Sequence, residues 1–140
     1  MFKKILFPTD FSPISRKALE HLKQLKAGGA EEVIALHVID DRTLIEAGYV
    51  DSIRDQLEEQ AKTNLQALAK ELEGFGFRVQ THIRAGIPFK EILEMEKEVS
   101  DLSLLIMGSH GKSDIMEMLM GSVAEKVVRK CKTPILIVKR

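Results

Sequence analysis

The chain has a single cysteine, Cys131, no tryptophan and one tyrosine among its 140 residues. One thiol cannot build an internal disulfide framework or a cysteine-based zinc site, so Cys131 is expected to be a small apolar side chain on the last helix. Aromatics at 5% leave the core to aliphatic side chains, which the 44% apolar content supplies. An excess of either charge is also missing. The 21 basic residues balance 21 acidic ones with no basic block, which argues against a nucleic-acid surface built on bulk electrostatics. No apolar run reaches the ~20 residues of a membrane span, and the one near the N-terminus is too short for a signal peptide. The chain is expected to be soluble and cytoplasmic, with no membrane partner, and its length predicts one domain over residues 1–140.

Short apolar runs alternate with longer helical patterns. Lys4–Pro8 reads as a first strand, and Ser12-Pro13 supplies an N-cap and a proline at the first helical position. Ile14, Ala18, Leu22 and Leu25 mark the buried face of that helix, which Gly28-Gly29 stops. Glu32–Ile39 is nearly continuous in apolar residues, as a strand covered on both faces requires. A long helical region is predicted over Thr43–Glu73, with a stripe at Ile53, Leu57, Ala61, Leu65, Leu68 and Leu72. Phe77–Arg84 alternates like a strand near a sheet edge. A third helix over Phe89–Val99 follows Gly86-Ile87-Pro88, read as a structural crossover. Leu102–Met107 is the fourth strand, Gly121–Lys130 the fourth helix and Ile135–Val138 the last strand.

This βαβαβαβαβ order, without repeats or linkers, predicts an α/β fold: one open parallel sheet with right-handed crossovers and helices on both faces. Ligands of such sheets sit beyond the carboxyl ends of the strands, where the winding reverses. Two loops at that edge carry unusual chemistry. Pro8-Thr9-Asp10-Phe11-Ser12 follows strand one; Gly108-Ser109-His110-Gly111 follows strand four, and Gly121-Ser122 comes nine residues later. Glycines at the mouth of a strand let backbone amides approach an anion without a Cβ in the way. Ser122 is expected to cap a helix N-terminus that also attracts negative charge. If strands one and four are neighbours, both loops flank one crevice suited to a phosphate chain.

Gly-x-x-Gly followed after nine residues by Gly-Ser, here Gly108, Gly111, Gly121 and Ser122, resembles the universal stress protein family in its nucleotide-retaining branch. Pro8–Ser12, Leu36-His37-Val38 and Pro134–Val138 add to the resemblance, which covers essentially the whole chain. It implies a five-stranded sheet in the order 3-2-1-4-5, a Rossmann-like fold of the adenine nucleotide alpha hydrolase type. It also implies ATP in the crevice, a homodimer through the last strand, and a switch or chaperone-like role in stress. Ala124 departs from the pattern, since many nucleotide-binding members carry a hydroxyl residue there.

The candidate nucleotide-binding residues are Pro8, Thr9, Asp10, Val38, Met107, Gly108, His110, Gly111, Gly121, Ser122, Val123 and Ala124. A carboxylate about 5 Å from a phosphate costs roughly 3 kcal/mol per charge pair at an effective dielectric near 20. Asp10 therefore faces ribose hydroxyls or the adenine amine, or shares a divalent ion such as Mg2+ or Mn2+ with the phosphates; the resemblance implies the ribose role. His110 either donates to a phosphate, stacks on the sugar, or is an exposed loop histidine. Val38 offers an apolar wall and backbone amide for adenine or is plain core, and Met107 is ring contact or core. Lys112 is a mobile positive charge or a solvated one, and Ile115, Met116, Met118, Leu119 and Met120 form an apolar flap or partner surface.

Two tempting motifs fail. Gly111-Lys112-Ser113 lacks the glycine a phosphate-binding P-loop needs, since position 106 is Ile106. Met107–Gly111 is not a nucleophile elbow, because Gly108 directly precedes Ser109. His21, His37, His82 and His110 have no metal-site spacing, and no catalytic base is identified. The expected function is a non-catalytic ATP-dependent switch read by an unknown protein partner. The alternatives are a slow metal- or partner-dependent ATPase and a dimer that has lost nucleotide.

Overall fold

The computed structural model describes residues 1–42, 50–111 and 120–140. Its strands are β1 (Lys4–Pro8), β2 (Glu32–Asp40), β3 (Arg78–Gly86), β4 (Leu104–Gly108) and β5 (Ile135–Val138). Between them run helices α1 (Pro13–Leu25), α2 (Val50–Gly74), α3 (Pro88–Glu98) and α4 (Ser122–Lys130), with a 3-10 turn, Lys26–Gly28, after α1. The strands form one parallel sheet ordered β3-β2-β1-β4-β5. β1 and β4 are therefore neighbours, with Ile5 opposite Leu104 and Leu6 opposite Leu105.

Alternation along the strands divides the core into two layers. Ile5, Phe7, Val33, Ala35, Leu104 and Ile106 point to one face, where Ala18, Leu19 and Leu22 of α1 and Leu65, Leu68 and Leu72 of α2 cover them. Leu6, Ile34, Leu36, Leu105 and Met107 point to the other, under Ile92 and Met95 of α3 and Ala124 and Val127 of α4. The α1 start follows its sequence signal. Ser12 has extended backbone, its hydroxyl accepts the Ser15 N–H at 3.2 Å, and Pro13 opens the helix. Glu71 clamps α2 to α1 through Arg16, at 2.7 Å, and Lys23. The Arg16 hydrogen bond holds the Glu71 carboxyl below its ordinary range against the opposing effect of burial.

Three strands differ from expectation at their ends. β3 spans Arg78–Gly86, not Phe77–Arg84: Phe77 folds into the core with its N–H on Leu72 O, while the far end stays paired until Gly86 meets Asp40. β2 extends past Ile39 to Asp40 for the same reason. β4 begins at Leu104, two residues later than expected, and Leu102 packs against the core layer on the α3 and α4 face of the sheet. The predicted helix start at Thr43 lies outside the described residues, as do Lys112, Ile115, Met116, Met118 and Leu119; Met120 packs against the α3–α4 layer. No helix among the described residues is long and apolar enough to cross a membrane.

Candidate functional site

The β1–α1 loop is held by hydrogen bonds of its own side chains. The Thr9 hydroxyl accepts the Phe11 N–H at 3.0 Å, and Asp10 Oδ1 accepts the Ser12 N–H at 3.0 Å, an Asx turn. These bonds hold Phe11 at a φ of 62°, in the left-handed region that a bulky residue rarely enters. The Phe11 ring lies against His37 with centroids 4.8 Å apart, and His37 Nδ1 lies 2.8 Å from the Thr9 carbonyl oxygen. The Thr9 N–H reaches Leu36 O at 2.9 Å, and the Thr9 and Ser15 hydroxyls share a buried hydrogen bond. A strained backbone braced from several sides is a feature of functional loops.

The β4 loop is pinned as well. The Ser109 N–H continues the ladder to Val138 O at 2.9 Å, and its carbonyl accepts the Gly121 N–H at 2.7 Å. Ser109 Oγ lies 2.7 Å from His110 Nδ1, and both side chains are buried. His110 is therefore not the exposed loop histidine that remained one of its readings.

Together the two loops enclose a cleft of about 420 Å³ at the carboxyl ends of β1, β2 and β4, within the range of small-molecule sites. Of the candidate residues, Pro8, Thr9, Asp10, Val38, Met107, Gly108, His110, Gly111, Ser122, Val123 and Ala124 line it. Gly121 does not. Its amide is spent on Ser109 O, so it ties the α4 start to the glycine loop and offers no donor to a ligand. Ser122 also differs from expectation: Gly121 is the N-cap, without a side-chain capping bond, and Ser122 is the first helical residue. Intrahelical bonding resumes at Glu125, whose N–H donates to Gly121 O. The amides of Ser122, Val123 and Ala124 precede it and have no partner within the helix. Free amides at the positive end of a helix favour a negative charge beside them.

Gly108 carries a further constraint. A Cβ there would overlap the Ile14 Cγ2 methyl and stand 3.4 Å from the Ile14 carbonyl carbon. Glycine is needed at 108 so that α1 can pack on β4, a packing requirement that the strand-mouth reading did not include. Ala124 joins the core at 2% exposure, so a hydroxyl is missing from a position that is largely packed away.

The cleft is also lined by residues outside the candidate set: Asp40, Arg42 and Ile92, with Leu57 of the predicted helical stripe and Pro88 of the predicted crossover. Arg42 donates to Asp40 twice through its side chain, at 3.0 and 2.8 Å, and once through its N–H at 3.0 Å. The guanidinium bond holds the Asp40 carboxyl below its ordinary range. The strand expected over Glu32–Ile39 left both residues in a loop, and only the pairing of β2 with β3 through Asp40 brings them to the edge where ligands of open parallel sheets bind.

Over residues 1–139 the sequence matches the model of the Universal stress protein family. The chain belongs to that family. Universal stress protein MJ0577 of Methanocaldococcus jannaschii is 41% identical over 157 residues, covering 100% of this chain and 96% of the relative. The MJ0577 structure superposes with a TM-score of 0.94 at 45% identity, covering 100% and 97% of the two chains. Two more distant structures share the fold of this universal stress protein. One, in complex with cAMP, has a TM-score of 0.71 at 24% identity and covers 99% of this chain and 97% of its own. The other, from Arabidopsis thaliana with AMP bound, has a TM-score of 0.73 at 17% identity and covers 99% and 92%.

Proposed function

We propose that this universal stress protein binds ATP in the cleft between β1 and β4 and acts as a nucleotide-dependent switch rather than as a vigorous hydrolase. The observation that carries the reading is the meeting of two unlike walls in one cleft. Val38, Leu57 and Ile92 supply apolar surface for a ring, while the first turn of α4 presents amides to an anion. Asp10 lines the cleft from the loop after β1, and its negative charge suits neutral ribose hydroxyls better than phosphates. Among the described residues no three His, Cys, Asp or Glu side chains gather to hold a metal. The reading gives the phosphates to backbone amides, with any Mg2+ or Mn2+ carried by the nucleotide. The family members with cAMP and AMP bound support an adenine nucleotide as the ligand class.

The deciding measurement is mass spectrometry of the small molecules released when the purified protein is denatured, followed by calorimetry of the emptied protein with ATP. An adenine nucleotide in the first experiment and saturable heat in the second are expected. No released nucleotide and no heat would overturn the reading. The same reading includes a homodimer through β5. That edge carries Ile135, Leu136 and Ile137, with Leu136 exposed, whereas the β3 edge carries Arg78, Gln80, His82 and Arg84. Sedimentation at micromolar concentration should give twice the chain mass, and Leu136→Lys should give a monomer; a monomeric parent removes the dimer.

A further inference from the structure

We propose that Arg42, anchored by Asp40, is the stacking platform for the ring of the bound nucleotide and makes the cleft prefer a nucleotide to a bare polyphosphate. The inference rests on the nucleotide reading above and names the residue that holds the base end of the ligand.

Sheet order fixes which end of the cleft is which. α4 follows β4, whereas Asp40 closes β2 opposite Gly86 of β3. β2 and β4 flank β1, and adjacent strands lie about 4.8 Å apart, so the two strand ends are separated by roughly 10 Å. That span suits a ligand with an anion at one end and a ring at the other. Phosphates on the α4 amides place the ring beyond β1, beside Val38, Pro88 and the Asp40–Arg42 pair.

Arg42 is tethered on that side. Its Nε and Nη2 both donate to the Asp40 carboxylate and its own N–H donates to Oδ1, so the guanidinium is held along one edge. A planar cation held by its edge binds a ring through its face, by stacking and cation–π attraction, and a lysine cannot reproduce this. Its side chain is 63% exposed, so a ring laid on it removes apolar and π surface from water. Asp40 is a positioning residue, acting only through Arg42.

Calorimetry with AMP, ADP, ATP and tripolyphosphate on the parent, Arg42→Ala, Arg42→Lys and Asp40→Ala tests this. Arg42→Ala is expected to weaken all three nucleotides by the same factor, roughly three- to tenfold, and to leave tripolyphosphate unchanged. Arg42→Lys should behave like Arg42→Ala, and Asp40→Ala combined with Arg42→Ala should add nothing to Arg42→Ala alone. Any of three results overturns the proposal: nucleotide affinity unchanged in Arg42→Ala, a loss that grows with phosphate number and extends to tripolyphosphate, or full recovery with lysine. A parent that binds no nucleotide removes the site reading and this inference together. A parent that binds while Arg42→Ala is silent removes this inference alone.

Discussion

Replacing Gly108 with alanine is expected to destabilise the protein by about 1–3 kcal/mol, the usual cost of forcing a methyl into a packed site. The new Cβ would overlap Ile14 Cγ2, and Ile14 cannot turn aside freely, because β-branched side chains in helices keep one strongly preferred χ1. Pulling the whole residue back is no easier, since its carbonyl carbon stands 3.4 Å from the same Cβ. α1 must therefore tilt away from β4, or the end of β4 must move. Movement of β4 shifts Ser109, whose carbonyl holds the Gly121 amide and with it the start of α4. Nucleotide affinity should fall along with stability. Urea unfolding at neutral pH reads the first effect and ATP calorimetry the second. Ile14→Ala in the Gly108→Ala background should restore most of the lost stability, a coupling that distant sites do not show. If alanine at 108 leaves the urea midpoint unchanged and costs only affinity, the glycine serves the ligand and the packing argument is wrong.

How much of this was legible in the chain depends on whether the cause of a feature is local. The α1 start was legible because Ser12, Pro13 and Ser15 settle it within one turn. The β1 and β2 cores were legible because a strand covered on both faces needs an unbroken apolar run, and Ile5–Phe7 and Val33–Leu36 supply one. The β1–β4 adjacency that creates the cleft was a matter of topology, reached by resemblance to a family order and not by spacing alone. The Asp40–Arg42 pair was not legible as part of a site. Two residues after a strand end read as loop until β3, some forty residues onward, pairs as far as Gly86 and carries β2 to the cleft edge. Gly121 misled for a similar reason. A glycine before a helix looks the same in sequence whether its amide faces a ligand or a carbonyl, and only the fold brings Ser109 O to 2.7 Å. The packing role of Gly108 was not legible, since the atom it makes room for lies on α1, far from it in the chain.

Ser122→Asp is expected to separate stability from binding in opposite directions. Ser122 is exposed and opens α4 with no side-chain cap, so an aspartate there meets no packing obstacle. A carboxylate in a first helical turn interacts favourably with the helix dipole, by about 0.3–1 kcal/mol, so the thermal midpoint should hold or rise slightly. The same charge occupies the proposed anion site. At about 5 Å and an effective dielectric near 20, one carboxylate against one phosphate charge costs roughly 3 kcal/mol, on the order of a hundredfold in affinity. The loss should grow from AMP to ATP, spare adenosine, and shrink as added salt screens the charges. Ser122→Asn keeps the shape without the charge and should bind ATP nearly as the parent does. A gradient in which phosphate number governs the Ser122 variant and the base governs the Arg42 variant would fix the ligand's direction across β1. Undiminished ATP binding by Ser122→Asp would place the phosphates elsewhere, because no nucleotide seated on the first turn of α4 can ignore a carboxylate put beside it.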